Sequence, residues 1–155
     1  MEEVTLRPIT LSDTDLIVRW RNSDAVRLNM YDQRILTAEQ HRDYFHKLIE
    51  TGIVTQYVAC VGAKTVGTVY YRNTIKGQVE LGLFIGERKF RGKGYGKLLL
   101  RQILSIIEKR ESIREVVLKV KKTNIRAIKL YLDMGFISVP RCLDGLFIQM
   151  IKIIR

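Results

Sequence analysis

The chain has 155 residues, 46 % hydrophobic and 28 % charged, which suits one globular domain spanning residues 1–155. No run approaches the ~20 apolar residues of a membrane span, and the acidic start Met1-Glu2-Glu3 lacks the basic-then-apolar order of a signal peptide. The 27 basic residues outnumber the 16 acidic ones, and the net charge of +11 favours a polyanionic partner: nucleic acid, an anionic surface or a phosphate-rich cofactor.

Val4–Ile9 alternates as a short strand. Ser12 reads as an N-cap, with Asp13 and Asp15 in the first helical turn and Leu16, Ile17 and Trp20 on one face. Thr37-Ala38-Glu39-Gln40 has the form of a capping box, and His41, Tyr44, Phe45, Leu48 and Ile49 continue it as an amphipathic helix ending near Gly52. The period then changes. Val54–Val61, Thr65–Arg72 and Val79–Ile85 are rich in β-branched and aromatic residues and are separated by turn residues, as in an antiparallel meander. Leu98–Lys109 carries a wide apolar stripe, Glu115–Val120 is a buried-type strand, and Asn124 caps a helix that Gly135 stops. Phe136–Val139 and Leu146–Ile154 close the pattern as a pair around Asp144-Gly145. The order is βααβββαβαββ, a mixed α/β domain whose sheet carries helices on both faces.

Arg91-Gly92-Lys93-Gly94-Tyr95-Gly96 falls between a strand and a helix. Glycines let the backbone turn its N–H groups outward, and the helix start adds unsatisfied donors and the positive end of a dipole. Arg91, Lys93 and Lys97 add charge, so the segment is suited to a pyrophosphate. A Walker loop is excluded because Leu98 stands where its Ser or Thr belongs. The dinucleotide pattern is excluded because its third glycine comes one residue early.

Two blocks carry a family resemblance. Arg91-x-x-Gly94-x-Gly96 is similar to the signature of GNAT N-acetyltransferases. Asn124-x-x-Ala127-x-x-x-Tyr131-x-x-x-Gly135-Phe136, beginning 33 positions later, resembles their second block. The element order is also theirs. The resemblance implies acetyl-CoA as acyl donor, held by Leu83, Phe84, Ile85, Arg91, Gly92, Lys93, Gly94, Tyr95, Gly96, Asn124 and Tyr131. It implies direct transfer to an amine, with Phe84 or Ile85 giving a backbone N–H to the oxyanion. Tyr131 is the general acid that protonates the departing thiolate. Glu80, 11 residues before Arg91, is the general base or else a carboxylate paired with a lysine. Lys119 departs from the glutamate that ribosomal-protein alanine acetyltransferases carry at that position.

Acceptor choice is assigned by the same resemblance to Trp20–Leu48, with Arg21, Asn22, Arg27, Met30, Tyr31 and His41 as binding residues. Two subgroups are similar over this stretch: ribosomal-protein N-terminal acetyltransferases, and enzymes acetylating nucleotide-linked amino sugars in pseudaminic acid synthesis. The latter makes the acceptor a small anionic amine. A protein N-terminus is the alternative, and a basic RNA- or ribosome-binding module is a remote one. No RNA-recognition motif is present, so a nucleic acid partner is not expected, and without a spanning apolar run neither is a membrane. His41 and His46 are five apart, the wrong spacing for one helical face, and no metal is expected. Cys60 and Cys142 have no metal spacing, and no base motif adjoins Cys142, so cytoplasmic, reduced thiols are expected, in a monomer or homodimer.

Overall fold

A seven-stranded mixed sheet, order β1-β2-β3-β4-β5-β7-β6, organises the chain. The computed structural model describes residues 2–143 and 145–155. Strands β1 (Val4–Pro8), β2 (Val54–Val61), β3 (Lys64–Asn73) and β4 (Gln78–Ile85) form the antiparallel part, as the meander pattern implies. Beyond it, β5 (Glu115–Lys121) runs parallel to β4, and β6 (Ile137–Leu143) and β7 (Phe147–Ile153) complete the sheet as an antiparallel pair. Asp144 of the expected Asp144-Gly145 turn and the Cys142 side chain lie outside the described residues.

Helices cover both faces, and the period of 2 along β2 shows how. Val58 joins Ile9, Ile17, Trp20 and Phe45 in one apolar cluster. Its neighbours Ala59 and Val61 join the larger cluster of Leu99, Leu100, Ile103 and Ile107 from α4 (Tyr95–Glu108). The first cluster holds α1 (Thr14–Asn22) and the second amphipathic segment, whose α3 (Ala38–Tyr44) passes into a π-helical turn over Phe45–Ile49. Each fully buried large side chain there contributes about 1.5–3 kcal/mol.

Two local expectations change. Ser12 is not the cap of α1. A 3-10 turn over Leu11–Asp13 precedes that helix, and the Asp13 carboxylate accepts the Thr10 N–H at 2.9 Å. A carboxylate three residues after Thr10 satisfies that donor, so the turn closes one step earlier. The segment after α1 also holds a short helix, α2 (Asp24–Arg27), too brief to leave a periodic pattern. The Thr37/Gln40 capping box forms as expected.

Asp13 is buried and bidentate with Arg7, at 2.8 Å on both arms. The Arg7 guanidinium, helped by the Thr10 N–H, holds the Asp13 carboxyl below its usual value. A depressed acid stabilises the fold above its unfolded value of about 3.9, and this is lost as pH falls through the folded value. Asp13→Asn is therefore expected to be less stable by about 1–3 kcal/mol at neutral pH. Its deficit should shrink below about pH 4, as urea unfolding across a pH series would read. A deficit constant with pH would assign the loss to packing alone.

Candidate active site

Strands β4 and β5 pair only over Gln78–Glu80 against Glu115–Val117. Leu81–Ile85 of β4 therefore continue with β3 on one side and an opening on the other. A cavity of about 920 Å³ occupies this splay, running from the glycine segment past Tyr131 to α1, α3 and the loop after α2. Leu83, Phe84 and Ile85 line it and are half-buried.

At one end, Gly92 (φ 72°) and Gly94 (φ 88°) adopt the left-handed backbone that glycine alone takes freely, and α4 starts at Tyr95 with Gly94 as its cap. Gly96 thus belongs to the helix rather than the loop, and it faces α5 (Ile125–Asp133) closely: a Cβ there would lie 3.6 Å from Leu130. Gly92, Gly94, Gly96 and Asn124 line the cavity, and Asn124 also caps α5 through the Ala127 N–H at 3.3 Å.

Three side chains of the segment have different surroundings. Arg91 lines the cavity, but its Nε and Nη2 donate to the Ile85 and Gly86 carbonyls at 2.9 and 2.8 Å, so it clamps the end of β4. Lys93 is exposed and outside the cavity wall. Tyr95 is buried against Phe90, ring centres 5.4 Å apart, and is core. The other cations that line this end are Lys97, Arg126 and Lys129, with the Arg126 guanidinium lying over Gly92. Sequence reading missed Arg126, although a cation in the first turn of a helix, against the dipole, is the signal of a nearby anion.

At the other end Arg21, Met30, Tyr31 and His41 line the wall. Asn22 and Arg27 do not. Asn22 exchanges two hydrogen bonds of 2.8 Å with the Leu36 backbone, and Arg27 donates to the Gln33 carbonyl at 3.3 Å and to Asp24 at 3.2 Å. Both shape the loop over the cavity instead of touching its contents. His41 is buried, its Nδ1 3.1 Å from Thr14 Oγ1 and its Nε2 without a protein partner; burial lowers its pKa, so the ring is neutral near pH 7. Arg21 Nη1 is likewise buried and unpartnered.

Between the two ends lie the candidate proton-transfer groups. Glu80 Oε2 is 3.3 Å from Lys119 Nζ, which also sits 4.6 Å above the Tyr31 ring. Tyr131 is buried edge-on to Phe136, and burial pushes its phenol up to about 12. Tyr70, not anticipated, stands opposite Gly82 in the β3–β4 register, and a Cβ at Gly82 would overlap its ring. Burial raises its phenol also.

The sequence profile described as an acetyltransferase (GNAT) domain matches residues 3–137. The chain belongs to the GNAT acetyltransferase family. This GNAT domain is thus an N-acetyltransferase, and its mixed sheet with helices on both faces is the GNAT architecture that the sequence resemblance implied. A search of curated proteins returns no match. Solved structures share the GNAT fold at low identity. A domain from Methanocaldococcus jannaschii superposes with TM-score 0.88 at 20 % identity, covering 99 % of both chains. Spermidine N-acetyltransferase from Vibrio cholerae, solved with CoA and spermine, gives 0.88 at 18 %, covering 97 % of this chain and 95 % of its own. An aminoglycoside acetyltransferase solved with coenzyme A and kanamycin gives 0.81 at 20 %, covering 97 % and 95 %. No helix among the described residues is long and apolar enough to cross a membrane, and among them no His, Cys, Asp or Glu cluster could hold a metal.

Proposed function

We propose that this GNAT domain moves an acetyl group from acetyl-CoA directly to the primary amine of a small anionic acceptor, a nucleotide-linked amino sugar being the best single representative. The donor half rests on the turned-out backbone at Gly92 and Gly94, the start of α4, and the cations Lys97, Arg126 and Lys129 around it. Bound there, acetyl-CoA supplies the thioester. Glu80 takes a proton from the acceptor ammonium, directly or through one water. A backbone N–H of Phe84 or Ile85 donates to the carbonyl oxygen as negative charge develops on it. Tyr131, kept protonated by burial, gives its proton to the departing sulfur.

The anionic acceptor rests on one observation above the others. Arg21 Nη1 lines the acceptor side, buried and without a protein partner, and an unmet buried N–H costs about 1–3 kcal/mol until a ligand oxygen meets it. Arg72 and Lys119 stand on the same wall, while two of the cavity's carboxylates are already engaged: Asp32 by Arg34, which holds it down to about 2, and Glu80 by Lys119. Polycationic acceptors such as those bound by the structural neighbours meet repulsion here.

Thiol release measured across a nucleotide-linked amino sugar, an N-terminal peptide, a polyamine and an aminoglycoside tests the reading. The anionic amine should give the highest kcat/KM, falling with salt as opposite charges are screened over about 8–10 Å. Arg21→Ala should raise KM for it about tenfold or more, with KM for acetyl-CoA unchanged. A better kcat/KM on the peptide would end the sugar-nucleotide reading and favour the N-terminal acetyltransferase subgroup.

A further inference from the structure

Lys119 presents a primary amine inside a site built to acetylate primary amines. It stands two residues beyond Val117, the last β5 residue paired with β4, and so projects from the splayed part of the sheet. Its side chain is 35 % exposed, yet its Nζ is held from two sides, 3.3 Å from Glu80 Oε2 and 4.6 Å from the centre of the Tyr31 ring. Lys97 and Lys129 also line the cavity, but among the described residues neither is in an ion pair. Among the described residues Lys119 is the only lysine in an ion pair, and its partner is the carboxylate assigned to accept the acceptor's proton. The ammonium of Lys119 thus occupies the position in which an acceptor ammonium would meet Glu80.

We propose that, when no acceptor is bound, Lys119 is itself an acetyl acceptor, so that the enzyme modifies its own active site. This rests on the proposed donor and on the proposed role of Glu80. Glu80 takes one proton from the Lys119 ammonium. The freed amine attacks the thioester carbonyl; the C–N bond forms and the C–S bond breaks. The sulfur leaves with its electron pair and takes a proton from Tyr131, and the second nitrogen proton passes to solvent, which restores the groups that lent or took one. The balance is one acetyl-lysine, one free CoA thiol and one released proton. Acetylation removes the positive charge of Lys119 and with it the ion pair, leaving the Glu80 carboxylate open to other cations. The acceptor side then loses one of its three cations, and cationic amines become better substrates than before.

The purified chain incubated with deuterium-labelled acetyl-CoA and no acceptor, followed by peptide mapping, tests this. One labelled acetyl group should accumulate on Lys119 ahead of every exposed lysine. Its rate constant should be independent of protein concentration, and Tyr131→Phe should slow it. Lys119→Arg should lose that mark, and if this variant does not fold, the wild-type map alone decides. Label spread over exposed lysines with Lys119 no faster overturns the proposal, as does a rate that scales with protein concentration. Turnover on an added amine with Lys119 unlabelled would sink self-acetylation while leaving the proposed function standing. No turnover on any amine and no thermal shift with acetyl-CoA would remove both.

Discussion

Gly94→Asp abolishes the thermal stabilisation that acetyl-CoA gives the wild-type chain. A ligand that binds only the native state at a hundred times its Kd contributes about 2.7 kcal/mol, or roughly 5–10 °C in a domain of this size. Gly94 has φ 88° and caps α4, where the helix dipole and free N–H groups favour a phosphate. Aspartate tolerates the left-handed region better than most residues, so the variant is expected to fold. Its carboxylate then occupies and neutralises the anion site. Differential scanning with and without acetyl-CoA reads both effects: the apo variant melts a few degrees below wild type because of the left-handed φ, and the shift disappears. An undiminished shift in the variant would move the pyrophosphate away from this segment.

Tyr131→Phe lowers kcat about 10²-fold or more and leaves acetyl-CoA affinity nearly unchanged. The ring packs edge-on to Phe136 at 5.7 Å, a contact that phenylalanine keeps, so the substitution removes the hydroxyl and little else. A proton needed only as the C–S bond breaks contributes to the transition state and not to the ground state, so its loss shows in kcat. Burial pushes this phenol up to about 12, so the donor stays protonated through the working range. No alkaline fall in kcat below the ordinary tyrosine value of about 10 should trace to it. Single-turnover rates, where chemistry is isolated from product release, give the decisive comparison. An unchanged rate there would leave Tyr131 as a core residue lining the cavity.

Much of this was legible in the sequence, for identifiable reasons. Apolar runs rich in β-branched and aromatic residues and bounded by turn residues marked every strand to within a few positions, because burial on both sheet faces leaves little freedom in composition. The glycine segment was legible because positive φ at Gly92 and Gly94 demands a residue type that can be read directly. Side-chain direction was not. Arg91 and Arg27 look like ligands for phosphate, yet the first clamps the end of β4 and the second braces its own loop. Nothing in a one-dimensional pattern says which carbonyl a guanidinium will find. Tyr70 and Arg126 were missed because each matters through an element distant in sequence, Gly82 for one and Gly92 for the other. Lys119 was seen only as a departure from a family pattern; its meaning came from the 3.3 Å approach to Glu80 on a neighbouring strand.

The short pairing of β4 with β5 has a consequence for handling the protein. Past Glu80 and Val117 the two strands no longer pair with each other, so the sheet is interrupted from within. Unpaired strand edges template association with any extended chain, which is why sheet proteins usually cover them. Here the interruption lies inside a cavity rather than along the outer rim of the sheet. Without a donor, the chain carries an internal seam that invites strand addition, by a foreign peptide or by a frayed terminus of another copy. CoA bound as proposed would fill that seam. Concentrated stocks kept with CoA should accordingly stay clear longer than stocks of the free chain, an effect of colloidal behaviour separate from any gain in melting temperature.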